Sequence, residues 1–97
     1  MFGGKPRPYV VVQADEFATP LLILVGCTDA DGTSLSFRPN LAPSPQNGLT
    51  KESVVMIDIP VTTYRDKVRQ VVGHLEPPDL SAVDAALIRV LGLTGPV

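Results

Sequence analysis

Cysteine and histidine are represented by one residue each, Cys27 and His74, and tryptophan is missing altogether. A lone cysteine closes no internal disulfide, and one Cys with one His leaves a protein-built zinc site short of ligands. No acidic loop has the spacing of a calcium site either, so the chemistry is expected to run without a metal or cofactor. The longest apolar run, Leu21-Leu22-Ile23-Leu24-Val25, is far too short to span a bilayer and reads as a buried strand. The opening Met1-Phe2-Gly3-Gly4-Lys5-Pro6 has no apolar stretch followed by a small-residue cleavage site, so a cytoplasmic location is the expectation. Positive charge is scarce too. Eight Lys and Arg against ten Asp and Glu give a net charge of −2, which does not suit a protein that coats long stretches of nucleic acid through counterion release. A short nucleic-acid site would need only a local basic patch.

The 97 residues, 44% hydrophobic and 19% charged, suit one folded domain with a small core. Tyr9-Val10-Val11-Val12-Gln13-Ala14 is β-branched and aromatic, follows Pro8 and stops at Asp15-Glu16, which predicts a strand. Residues 21–27 predict a second strand, buried on both faces, and residues 28–33 a polar loop. Ser34-Leu35-Ser36-Phe37-Arg38 alternates and predicts a short edge strand before Pro39. Pro43, Pro45 and Asn47-Gly48 form a turn-rich connector. A strand is then expected over residues 53–59, ended or bulged by Pro60, and a last one over residues 68–75. Cys27 is expected in the core.

The C-terminal segment changes period. Pro77 and Pro78 suit a first helical turn, Asp79 its positive end, and Gly92 a stop, while Leu80, Val83, Leu87, Val90 and Leu91 recur at helical spacing. The fold class read from this order is mainly β with a C-terminal α-helix, as a strongly bent antiparallel sheet or small SH3-like barrel.

Taken in order, several segments resemble the MazF/PemK toxin family. Gly4-Lys5-Pro6-Arg7-Pro8-Tyr9-Val10-Val11-Val12-Gln13-Ala14-Asp15 is similar to the family segment that carries a loop arginine into a strand ending in a Gln-small-Asp turn. Leu24-Val25-Gly26-Cys27-Thr28 resembles its apolar strand ending in threonine, with Gly26 where proline is usual. Residues 47–58, Arg65-Asp66-Lys67, Gly73-His74-Leu75 and the tail Leu91-Gly92-Leu93 extend the likeness over nearly the whole chain. Two departures stand out. The family's Gly-Asp-bearing first strand has no counterpart, so the expectation is a single toxin domain over residues 1–97 lacking that strand. Ile59 and Pro60 follow Asp58 where the family often has Gln or Lys.

The resemblance implies an endoribonuclease that cuts single-stranded RNA through attack by the RNA's own 2′-hydroxyl, leaving a 2′,3′-cyclic phosphate. It makes Arg7 and Thr28 the catalytic residues. The chemistry is compatible: a guanidinium offers a fixed donor fork to phosphate oxygens, and a hydroxyl can hold a phosphate oxygen or the 2′-hydroxyl. Without the resemblance, Arg7 reads as a surface arginine and Thr28 as a β-branched strand end. Asp58 matches an acidic position that contributes to the site in some relatives, or serves as an inter-strand acceptor. Arg38, Lys51 and Arg65 are candidates for phosphate contacts or solvated surface charges. His74 is read as a packing or surface residue. Implied partners are a cognate antitoxin, whose acidic and apolar tail would lie in the RNA groove, and a second copy of the chain, met through Val54-Val55-Met56-Ile57. Two other readings are a gyrase poison of the related CcdB fold, which the Trp-free tail disfavours, and a catalytically inactive antitoxin-binding module.

Overall fold

A computed structural model describes residues 7–30 and 35–93. Four strands, β1 (Tyr9–Val11), β2 (Leu21–Asp29), β3 (Asn40–Leu41) and β4 (Ser53–Tyr64), precede a 3-10 turn at Arg65–Lys67 and helix α1 (Pro77–Leu91). They form one sheet in the order β1-β2-β4-β3, every neighbouring pair antiparallel. Mainly antiparallel sheet with one C-terminal helix is the expected class. Among the described residues the sheet is open, with β1 and β3 as its edges, and does not close into a barrel.

β2 is nearly all apolar because both of its faces are covered in the middle. Val25 and Cys27 point into the core with Leu41, Val55 and Ile57, and α1 closes that core with Val83. Burial pushes the Cys27 thiol up to about 11, so it behaves as a small apolar filler. Leu22, Leu24 and Gly26 alternate with these positions and are buried on the other face. Between the pairs Val25↔Pro60 and Cys27↔Val55 the register shifts, so that Gly26 alone faces residues 56–59 of β4. That irregularity bends β4 just before Pro60, and the strand then continues to Tyr64 instead of ending. Proline is tolerated there because β3 pairs only with Ser53 and Val54, leaving the outer side of β4 without a strand partner among the described residues.

α1 begins after Glu76 with Pro77 and Pro78, which need no N–H partners in a first turn. It ends at Gly92, whose φ of 67° lets its N–H reach the Arg89 carbonyl while the Leu93 N–H bonds Ile88. The inward stripe is narrower than its apolar pattern suggests: Val83, Ala86, Leu87 and Val90 pack on the core, whereas Leu80 and Leu91 are exposed.

Other expected elements differ as well, the first strand stopping at Val11 instead of Ala14. Among the described part of residues 34–38, Leu35 to Arg38 is a turn closed by the Arg38 N–H on the Leu35 carbonyl, with Phe37 turned to the core and Leu35 outward; Ser34 lies outside the described residues. The strand β3 follows two residues later. β2 runs through Thr28 to Asp29, so the polar loop starts later than expected, and residues 31–34 lie outside the described residues. The valine-rich residues 68–75 form no strand. Their backbone turns to the 44–48 connector: the His74 N–H bonds the Gln46 carbonyl at 2.8 Å, and Gly73 and Gly48 lie where a Cβ would come within 2.2 Å of the Gln46 and Val72 carbonyl oxygens respectively. β propensity needs an open edge with a matching register, and this segment meets a turn instead.

That connector is built on buried Asn47. Its Oδ1 accepts from the Ser44 and Leu49 N–H groups, its Nδ2 donates to the Ala42 carbonyl, and its own N–H donates to the Ser44 hydroxyl. Every polar group of the side chain is thus used to replace a hydrogen-bond ladder the irregular backbone lacks.

Candidate active site

β1 pairs with β2 through Tyr9↔Gly26, Val10↔Val25 and Val11↔Leu24. The ladder extends further, because the Cys27 N–H donates to the Pro8 carbonyl at 2.9 Å. Pro8 and Cys27 are therefore the next rung, and the same register continued by one residue, beyond the strand itself, would set exposed Arg7 against half-buried Thr28. In this alternation Arg7 and Thr28 fall on a non-hydrogen-bonded rung, where facing Cα atoms are about 4.5 Å apart and side chains rise on the same face. Proline suits position 8, since it accepts a ladder bond but has no N–H to donate at a sheet edge.

Thr28 is joined on its other side to Val54 of β4, and Val54 to Asn40 of β3, so one row crosses the whole sheet. Lys51 belongs to this rim: its Nζ lies 3.3 Å from Asp29, both side chains being largely in solvent. Such a pair is weak enough to give way to a phosphate. Asp29 pairs with Ser53 one rung beyond Thr28.

Arg38 and Asp58 are brought together with each other. Arg38 Nε donates to one Asp58 oxygen at 2.8 Å and its terminal nitrogen to the other at 3.0 Å, a bidentate clamp between the 35–38 turn and β4. The hydrogen bonds from Arg38 hold the Asp58 carboxyl below its usual range, against a smaller opposing effect of desolvation. Because the folded pKa is lowered, the clamp stabilises the fold above the unfolded carboxylate value of about 3.9 and is lost as pH falls through the lower folded value. Asp58→Asn is expected to be less stable than the parent at pH 7 by up to about 1 kcal/mol, the exposed-pair range. The two proteins should converge in acid titrations followed by circular dichroism, and an undiminished gap at the lowest pH would count against the clamp.

Arg65 stands apart. Leu21 pairs with Tyr64, so Arg65 is at the opposite end of β2, roughly 20 Å of strand away from Thr28. Its Nε donates to the Thr19 carbonyl, its terminal nitrogen to Phe17 at 3.4 Å, and its N–H to Pro20 at 2.8 Å. It braces the 17–20 loop. His74 is exposed and contributes its backbone N–H to the connector. Among the described residues no group of three or more His, Cys, Asp or Glu is arranged to hold a metal ion, and no helix is long and apolar enough to cross a membrane.

The strand expected to meet a second copy is committed elsewhere: Val54, Val55 and Ile57 are buried within the chain. Alternation on β4 does not offer one apolar outer face, because core contacts and the Gly26 irregularity use both sides. Exposed apolar side chains gather instead at the far end of the sheet, where Phe17, Leu21 and Ile23 line a shallow cleft with Gln13, Thr19 and Thr62.

A small open antiparallel sheet with a capping C-terminal helix is a fold that other proteins share. Residues 3–91 match the family described as PemK-like, MazF-like toxin of type II toxin-antitoxin system. The chain is 36% identical over 95 residues to a protein of Mycolicibacterium smegmatis named probable endoribonuclease MazF, covering 97% of this chain and 87% of that one. Among solved structures, the Mycobacterium tuberculosis toxin MazF-mt6 superposes with a TM-score of 0.75 at 18% identity, over 89% of this chain and 86% of the other. An endoribonuclease in complex with its cognate antitoxin, from a mycobacterial species, superposes with a TM-score of 0.78 at 22% identity, over 99% and 90%. At these identities the two structures speak for the fold. The chain belongs to the PemK-like, MazF-like toxins of type II toxin–antitoxin systems, the class of the MazF endoribonucleases.

Proposed function

We propose that the protein cuts single-stranded RNA without a metal at the Arg7–Thr28 rim. The 2′-hydroxyl oxygen attacks the adjoining phosphorus, the P–O5′ bond breaks, and the products carry a 2′,3′-cyclic phosphate and a free 5′-hydroxyl. The 2′ proton departs and the leaving 5′ oxygen takes one up, so the sum is a transesterification that needs no cofactor. The observation that carries this reading is the extension of the β1–β2 ladder to Pro8 and Cys27. Continued by one residue, that ladder would put Arg7 opposite Thr28 on one face, a spacing that supports a single phosphodiester touching both. Arg7 clamps the phosphate oxygens and offsets the charge that grows on them, a task suited to the planar donor fork of a guanidinium. Thr28 holds a phosphate oxygen or aligns the 2′-hydroxyl. Lys51, loosely held by Asp29, is a candidate for a neighbouring phosphate.

The antitoxin is a proposed partner on the same rim, where an acidic tail would replace the RNA backbone. A second copy would pack on the exposed apolar positions of β2 and β4, Leu21 and Ile23 with Tyr64, on the part of the sheet that α1 leaves bare. Incubation with a labelled pool of single-stranded RNA, with and without EDTA, tests the activity: cleavage at equal rates in both is expected. Intact RNA accompanied by gyrase inhibition would favour a CcdB-like poison, and intact RNA with antitoxin binding alone an inactive binding module.

A further inference from the structure

Two residues along the chain from Arg7, the Tyr9–Gly26 rung carries a side chain on one strand only. Gly26 supplies no side chain, and the space above it is taken by its neighbours: a Cβ there would lie 3.2 and 3.6 Å from Cε2 and Cδ2 of Tyr9, and 2.9 Å from Cε of Met56. One edge of the Tyr9 ring therefore rests on the glycine backbone beside Met56. The ring is held, yet Tyr9 is still 38% exposed. An aromatic side chain seated along one edge and partly open to solvent, one same-face step of roughly 7 Å from the two positions proposed to grip a phosphodiester, has the character of a base-binding platform.

We propose that Tyr9 stacks the nucleobase adjoining the scissile phosphodiester and so positions the RNA for cleavage; this rests on the nuclease reading above. Single-stranded RNA displays unstacked bases, and proteins that bind it pair basic groups on the backbone with aromatic faces under the bases. Gly26 is part of the device, because a larger residue would lift the ring out of its seat. The ring adds affinity for the base and takes no part in bond breaking, so it is a positioning residue whose loss raises KM more than it lowers kcat.

The test uses a short single-stranded RNA with one cleavage site and versions in which the base on either side of that site is replaced by an abasic nucleotide. For the parent protein, one abasic version is expected to raise KM roughly 5- to 100-fold, the range that base–aromatic stacking spans. Tyr9→Ala should raise KM on the intact RNA by a similar factor and lose the distinction between intact and abasic strands. Tyr9→Phe should restore it, and Tyr9→Leu, which pads Gly26 without offering a π face, should not. Equal discrimination by Tyr9→Ala and the parent, or full rescue by leucine, would overturn the proposal and leave Tyr9 as packing for Gly26. A parallel binding measurement with uncleavable 2′-O-methyl strands separates the two claims. Absent cleavage with Tyr9-dependent preference for the intact strand would remove the nuclease reading and keep the platform, and binding that ignores both the base and Tyr9 would remove the platform whatever the cleavage result.

Discussion

Arg7→Ala is expected to lower the rate of RNA cleavage by at least about 100-fold, the usual loss when one donor aimed at transition-state charge is removed. The effect should fall mainly on kcat, because the charge that Arg7 is proposed to offset grows as the phosphorane forms and is smaller in bound substrate. Arg7 is exposed at a sheet edge, so removing it should leave the melting temperature close to that of the parent. Lysine at position 7 keeps the charge without the bidentate fork and should recover only part of the rate. Thr28→Ala should also abolish activity, whereas Thr28→Ser, which keeps the hydroxyl, should retain a measurable fraction. Rates measured on one defined oligonucleotide, with thermal melts of the same samples, separate a lost clamp from a lost fold. Full activity in Arg7→Ala would refute the proposed chemistry.

The largest expected effect on stability comes from Gly73→Ala. A methyl group there would lie 2.2 Å from the Gln46 carbonyl oxygen and 2.7 and 2.9 Å from the carbonyl atoms of Asn47, all of them backbone with no side chain to rotate away. Either residues 68–75 lift off the connector or the Asn47 network opens, and an overpacked site of this kind costs about 2–3 kcal/mol. In a chain of this size that is a fall in melting temperature of roughly 10–20 °C. Val71→Ala, two residues away at a side chain that is 84% exposed, should change stability by no more than about 0.5 kcal/mol. Amide exchange gives a local reading, since the His74 N–H loses its Gln46 acceptor if the segment lifts. A Gly73→Ala protein that melts with the parent would mean that residues 68–75 are not docked as described.

The parts of the fold legible in the sequence are those governed by local chemistry. β2 is recognisable because its apolar run is made of strand formers, although Leu21 and Ile23 at its start are exposed rather than buried as the run implied, and α1 because two prolines open it and a glycine closes it. Residues 68–75 misread as a strand for the converse reason: valine content reports a preference for extended backbone, whereas pairing depends on an edge that the chain order does not reveal. The same gap explains why Val54 to Ile57 looked available to a second copy. Val55 and Ile57 are buried in the core with Val25, Cys27 and Val83 of α1, and Val54 is buried as well, an arrangement tied to a register shift opposite Gly26 that no spacing encodes.

In the site, Arg7 and Thr28 stood out by resemblance to a family and not by their own pattern; their relation across β1 and β2 emerges only from the register. The Arg38–Asp58 clamp spans 20 positions and has no local signature. Asn47 was legible as a turn residue, but not as a buried hub. Its hydrogen-bond partners at Ala42, Ser44 and Leu49 lie within five residues, so the Ser44-x-x-Asn47-Gly48 spacing was the signal that could have found it. Tyr9 read as an ordinary β-former, since its seat on Gly26 is 17 positions away in the chain and adjacent only in the sheet.

The most direct measurement is of the chain ends left on a cleaved RNA. Fragments from a defined oligonucleotide, cut in the presence of EDTA and resolved by mass spectrometry, are expected to carry a 2′,3′-cyclic phosphate on one side and a 5′-hydroxyl on the other. Fragments bearing a 5′-phosphate, formed only when a divalent cation is supplied, would contradict attack by the RNA's own hydroxyl at an arginine–threonine rim.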